Sequence, residues 1–231
     1  MKILWLSIGF MILFILVYAI IPTVLIRINS WGIKKRLQSD VIAITFDDGP
    51  NPIYTPQLLD LLKKYQVKAT FFVVGSKVQR YPEIVKRMSE EGHTIGIHHF
   101  HHVSSWICSP FRIKRELALT ELAIRGCTNE KVTFYRPPWG HFNLFSMLVS
   151  KPYQKIMWSH IFGDWKVEKA RNGLLEELRT TVEPGAILLL HDCGETLGAD
   201  QDAPGCMIKN LEIYLKEAMD KGTKFITLKE L

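Results

Sequence analysis

Charge is missing from the start of the chain: no ionisable acid or base lies between Ile3 and Ile26, and most residues there are Leu, Ile, Phe, Val or Met. A helix of that length rises about 36 Å against a hydrocarbon layer of roughly 30 Å, enough to span a bilayer with some tilt. Val17-Tyr18-Ala19 resembles a signal-peptidase site, but the apolar run continues past it. A cleaved signal ends its apolar stretch before the cut, so an uncleaved anchor is expected. Cysteine is also scarce. Cys108, Cys127, Cys193 and Cys206 show no CxxC spacing, which excludes a small disulfide-rich framework and makes free thiols the default. No internal repeat, low-complexity segment or nucleic-acid module is visible, so the net charge of +6 suits an anionic membrane or polymer and gives no DNA signal.

What is present is ordinary for a globular chain. Of 231 residues, 47% are apolar and 23% charged, enough for one sizeable domain with its own core. The expected division is a membrane anchor over 1–30, a basic juxtamembrane linker over 31–40 and a single domain over 41–231. Which side that domain faces stays open. Arg27, Lys34, Lys35 and Arg36 follow the span with no intervening acid, while only Lys2 precedes it. Read alone, that asymmetry puts the domain in the cytoplasm, and the free cysteines lean the same way. Basic side chains resting on anionic lipid head groups, on either face, are the alternative.

Beyond the linker, strand-like and helix-like segments alternate. Strands are expected at Val41–Phe46, Lys68–Val74, Thr94–His98, Val132–Tyr135, Ile156–Ser159, Ala186–Leu190 and Phe225–Leu228. Helices are expected over 55–65, 82–91, 111–125, 142–149, 168–182 and 206–221. Leu58, Leu59, Leu61 and Leu62 give one apolar stripe, and Pro82 and Gly92 bound another helix. This alternation implies about seven parallel strands covered by helices, in a closed or nearly closed β/α barrel.

Polar clusters fall at the carboxyl ends of those strands, where β/α barrels build their sites. Asp47-Asp48 ends the first strand, His98–His102 the third and Arg136 the fourth. Asp164-Trp165 follows the fifth, and His191 ends the sixth. Asp48, His98 and His102 would supply two imidazoles and a carboxylate, a metal set with positions open for water and substrate; a histidine-rich polar loop is the other reading. A turn after the strand would let Asp47 face the attacking water as base, with Arg136 beside it. His191 closes an apolar strand, a costly place for an imidazole unless Asp164 pairs with it and makes it a general acid. Trp165 and Leu189 either line a methyl pocket or are core.

Together, Thr45-Phe-Asp-Asp-Gly-Pro50, His98-His-Phe-His-His102, Arg136-Pro-Pro-Trp-Gly140, Asp164-Trp165 and Ile187-Leu-Leu-Leu-His191 resemble the polysaccharide deacetylases with the NodB homology domain (carbohydrate esterase family 4). The five segments stand in the family's order and span residues 41 to 228. The resemblance implies a distorted barrel and a divalent metal, usually zinc, with cobalt, nickel or manganese as other ions. It implies Asp47 as general base, Asp48, His98 and His102 as ligands, and His191 as general acid. Arg136 would orient Asp47, Asp164 would tune His191, and the Trp139 amide would help hold the oxyanion. Trp165 and Leu189 would contact the acetyl methyl. The substrate implied is an N-acetylated amino-sugar polymer such as peptidoglycan or chitin-like oligomers, met on the outer side of the membrane. Deacylation or deformylation of a lipid-linked amino sugar, and non-catalytic carbohydrate binding, are the rival readings. Two positions depart from the family. His99 stands where a Ser or Thr is usual, and Ile161 where an Asp is frequent. The acidic loop 195–204 has no assigned role, and Cys193, two residues past His191, suggests thiol sensitivity.

Overall fold

A computed structural model describes residues 1–230. Helix α1 (Lys2–Asn29) is followed by the strands β1 (Ile33–Lys34), β2 (Ala43–Asp47), β3 (Thr70–Val73), β4 (Thr94–Ile97), β5 (Phe134–Tyr135), β6 (Gln154–Ile156), β7 (His160–Ile161) and β8 (Ile187–His191). All eight lie in one parallel sheet of order β1-β6-β5-β4-β3-β2-β8-β7. The sheet curls as a barrel does and stays open between β1 and β7. Two of the eight were not expected: β7, which pairs with β8, and β1, which pairs with β6 inside the stretch expected to be a linker.

Between the strands run α2 (Tyr54–Lys64), α3 (Gly75–Arg80), α4 (Pro82–Glu90), α5 (Pro110–Thr128), α6 (Ser146–Val149), α7 (Val167–Asn172), α8 (Leu174–Thr181) and α9 (Ala203–Asp220). The longer helices bury the apolar face their pattern predicts, whereas α3 was not among the helices expected. In α4, Pro82 sits in the first turn, where its missing N–H costs nothing, and Ile84, Val85 and Met88 point inward. The helix expected over 168–182 is two, broken at Gly173. Phe225–Leu228 is not a strand. It makes one bridge, Ile42 to Phe225, and then turns so that the buried Leu228 joins Phe72, Phe134, Ile156 and Ile187 inside the curl. The C-terminal segment therefore plugs the end of the half-barrel opposite the carboxyl rim. The larger core lies between sheet and helices and includes Phe46, Phe71, Leu58, Leu62, Met88, Leu188 and Leu211.

Helix α1 is exposed along its first half, whereas Ala19, Thr23 and Ile26 are buried against the domain. Leu16–Ile20 widens to a π turn, and Pro22, four residues after Tyr18, has no N–H to offer the Tyr18 carbonyl, which accepts the Leu144 N–H at 2.9 Å. Thr23 Oγ1 donates to the Phe142 carbonyl at 2.6 Å and accepts from Phe142 N–H and from Trp106 Nε1–H at 2.8 Å.

Candidate active site

Strand register assembles the site. Asp47 of β2 stands directly opposite His191 of β8, and Ile97 of β4 opposite Tyr135 of β5, so His98 and Arg136 emerge side by side at the rim. Adjacent carboxylates in extended backbone would face opposite ways. Asp48 leaves the strand at φ 76, a left-handed conformation unusual outside glycine, and so both carboxylates turn onto one rim. His99, His102 and Trp139 also have positive φ. Four such residues in one site indicate backbone held for function by its surroundings.

Asp48 Oδ1 lies 3.3 Å from His98 Nε2 and 3.0 Å from His102 Nε2. Both Asp48 and His98 are buried. His98 Nδ1 is 2.8 Å from the Arg136 carbonyl, which can only accept, so Nδ1 carries a proton and Nε2 is the nitrogen turned to the carboxylate. A histidine fixed in this way is oriented as a metal ligand is. The three donor atoms all lie within 4.8 Å of one another, and ligands at zinc distances in a tetrahedron sit about 3.3 Å apart. The donor set therefore fits a divalent metal. Burial would raise the Asp48 carboxyl, but the His102 and His98 rings set against it hold it well below the usual carboxylate range.

Asp47 accepts from Arg136 Nη1 at 2.7 Å. Arg136 is fully buried and donates as well to Thr45 Oγ1 and to the carbonyls of Ile156 and Met157, with its guanidinium over the Phe72 ring. Every arm of that cation is thus occupied, which is what makes its burial tolerable. On the other side of the site, Asp164, also fully buried, accepts the His191 backbone N–H at 2.7 Å and His191 Nδ1–H at 3.0 Å. Burial opposes charge on the imidazole, but the Asp164 carboxylate overrides it and pushes His191 up to about 9. Trp139, Trp165 and Leu189 line the pocket between these groups. All ten residues expected from the sequence therefore meet in one place.

Some contributors left no mark in the sequence. Trp158, and Thr196 to Ala199 of the acidic loop, complete the pocket wall; the loop had shown itself only as an acidic stretch after His191. Lys77 Nζ donates to the Asp48 carbonyl at 2.9 Å and to Cys193 Sγ at 2.8 Å, bracing the ligand's main chain. Glu116 accepts from the N–H groups of Phe100 and His101, fixing the loop between the two histidine ligands. His99 also supports that loop. Its Nδ1–H donates to the Val103 carbonyl and its Nε2 accepts from the Tyr135 hydroxyl, both at 2.8 Å, and burial holds the ring neutral with a pKa of about 3. Ile161 lines the pocket as an apolar group.

A family model described as polysaccharide deacetylase matches residues 34–153. A peptidoglycan-N-acetylglucosamine deacetylase of Bacillus cereus is 36% identical over 209 residues, covering 87% of this chain and 92% of the relative. The peptidoglycan-N-acetylmuramic acid deacetylase PdaA of Bacillus subtilis is 39% identical over 155 residues, 65% of this chain and 59% of the relative. Among solved structures, a peptidoglycan N-acetylglucosamine deacetylase in complex with 4-naphthalen-1-yl-N-oxidanyl-benzamide superposes with a TM-score of 0.75 at 26% identity, covering 86% of this chain and 90% of that one.

Proposed function

The chain belongs to the polysaccharide deacetylase family, and from that premise we propose that it removes N-acetyl groups from the amino sugars of a wall polymer of the peptidoglycan kind. As a member it is a hydrolase of amide bonds. The observation that carries the reading is the register that sets Asp47 against His191 across β2 and β8. A carboxylate on one side of a pocket and an imidazolium on the other supply the two proton transfers that amide hydrolysis needs.

Asp48, His98 and His102 would hold a divalent metal, zinc in this proposal, which when bound lowers the pKa of water and polarises a carbonyl. Asp47, ion-paired with Arg136, takes a proton from the water that attacks the acetamide carbon. The Trp139 backbone N–H donates to the carbonyl oxygen as charge develops on it. His191, kept protonated by Asp164, then gives a proton to the sugar nitrogen. The C–N bond breaks, and acetate and a free amine leave. Trp165 and Leu189 bound an apolar space for the acetyl methyl.

We further propose that α1 holds the enzyme at a membrane with its pocket on the wall side, and that the catalytic unit begins at β1. Three of the four cations following the span, which read as inward-facing by count, have local partners. Arg36 pairs with Glu183, Lys35 Nζ donates to the Arg27 carbonyl, and Arg27 lies over the Trp158 ring. The test is to treat purified peptidoglycan with the full chain in detergent and identify the muropeptides by mass spectrometry. Loss of acetyl mass with gain of free amine is expected, and none with Asp47→Asn. An unchanged polymer, beside deacylation of a lipid-linked amino sugar, would overturn the substrate assignment.

A further inference from the structure

The stretch of α1 free to cross a bilayer is shorter than the bilayer. Contacts with the domain begin at the π turn Leu16–Ile20, where Tyr18 bonds to Cys108, Asn143 and Leu144. From Ile3 to Leu16 the helix rises about 21 Å, against roughly 30 Å of hydrocarbon. About 9 Å of the layer must then be met by the docked turns and by whatever surrounds them.

What surrounds them is apolar and exposed. Ile107 is 78% exposed, Phe111 86%, Leu144 56% and Leu148 71%. Each lies within a few residues of a group that touches α1. Ile107 precedes Cys108, whose carbonyl accepts from Tyr18, and Phe111 follows at the start of α5. Leu144 bonds to Tyr18 through its backbone, and Leu148 is one turn further on in α6. Four large apolar side chains standing in water beside an apolar helix form a patch of the kind that marks a lipid or protein contact. Basic groups rim it. Arg112, Lys114 and Arg115 are exposed next to Phe111, and Lys151 next to Leu148. This apolar centre with a cationic edge is the composition of a surface seated in an anionic bilayer interface.

We propose that Ile107, Phe111, Leu144 and Leu148 form a collar around α1 that sinks into the lipid, so that the catalytic domain rests partly immersed rather than tethered above the membrane. The proposal rests on reading α1 as a membrane span. The immersion depth required by the short free helix, about 9 Å, falls within the roughly 5–10 Å to which interfacial apolar faces bury. The collar also connects to the pocket. Trp106, beside Ile107, stacks on His141 at 3.8 Å, and His141 stacks on the pocket residue Trp139. The pocket wall is therefore held a few side chains from lipid, and the favoured substrate is glycan lying against the membrane surface.

The test places the full chain in nanodiscs of phosphatidylcholine and phosphatidylglycerol doped with a phospholipid carrying a photoactivatable diazirine in its acyl chain. Adducts are mapped by mass spectrometry after illumination. Adducts on Ile107, Phe111 and Leu148, several-fold above those on Ile213 and Met219, are expected beside adducts within residues 3–17. Ile213 and Met219 are apolar side chains of α9, 43% and 42% exposed, and α9 packs on α2, α7 and α8, so their yields are compared after scaling by exposed fraction. Phe111→Ser with Leu148→Ser, both at exposed positions, should lower labelling at Ile107 and Leu144 and leave that within 3–17 intact. Labelling within 3–17 with the collar no higher than Ile213 would overturn the proposal and spare the anchor. Labelling at neither would overturn both.

Discussion

Replacing Asp164 with Asn tests the proton donor most sharply. The carboxylate accepts two hydrogen bonds from His191, one from the backbone N–H and one from Nδ1–H. Asn keeps the shape but offers a single acceptor, so one of the two donors faces an amide NH2. The imidazolium also loses its charge partner. With His191 raised from 6.5 to about 9, the favourable interaction with the charged form is about 3 kcal/mol, from about 1.4 kcal/mol for each pH unit. General acid catalysis contributes about 10²–10⁴ in rate, so kcat at neutral pH should fall about 10²–10³-fold. The alkaline limb of the kcat profile should move to lower pH, because Asp164 is the largest of the groups that raise His191. Stability follows with a defined sign. A raised folded pKa stabilises fully below 6.5 and is lost as pH rises through about 9. The difference in urea stability between wild type and variant should therefore be largest below pH 6.5 and shrink across that window. The assay is acetate release against pH, paired with urea titrations. An alkaline limb that stays in place in the variant would refute the assignment of His191 as the group whose proton Asp164 holds.

Arg136→Met should abolish turnover and cost about 3–5 kcal/mol in urea unfolding, because Asp47, Thr45 and two carbonyls lose a buried partner together. Chelation should lower the melting temperature and zinc should restore it, by about 4 kcal/mol of linkage at a thousandfold excess over Kd. In Asp48→Asn that zinc-dependent shift should vanish. Gly49→Ala would drive a methyl into the Asp192 carboxylate, which the Thr55 hydroxyl holds in place. A loss of about 1–3 kcal/mol in thermal or urea unfolding is expected. Thr23→Val, in full-length chain, should raise KM more than it lowers kcat, since Thr23 steadies Trp106 and so the stacked His141 and Trp139 of the pocket wall.

The half-barrel was legible because parallel strands buried on both faces read as apolar runs, as in Ile187–Leu190. The site was legible because its polar groups sit where such runs stop. Short edge strands were not. β1 and β7 are two residues each, too short for any periodicity, and β1 lies among cations that suggested a linker. Thr23 was likewise hidden. A single hydroxyl in an apolar run looks like tolerated polarity in a span, and only the fold reveals that it serves Trp106 and Phe142. Arg27, Lys35 and Arg36 read as free charges for the same reason, because their partners lie far along the chain or in the main chain. His99 shows the converse. It departs from the family pattern, yet the ring spans from Val103 to Tyr135 and holds that loop from both nitrogens.

The most direct measurement is acetate release from N-acetylglucosamine oligomers by the full-length chain, assayed after chelation and again after zinc is returned, with Asp47→Asn and His191→Asn in parallel. The account predicts release that disappears on chelation, returns with zinc, and is lost in both variants while each still binds zinc. Release that persists in either variant, or that is indifferent to chelation, would contradict it.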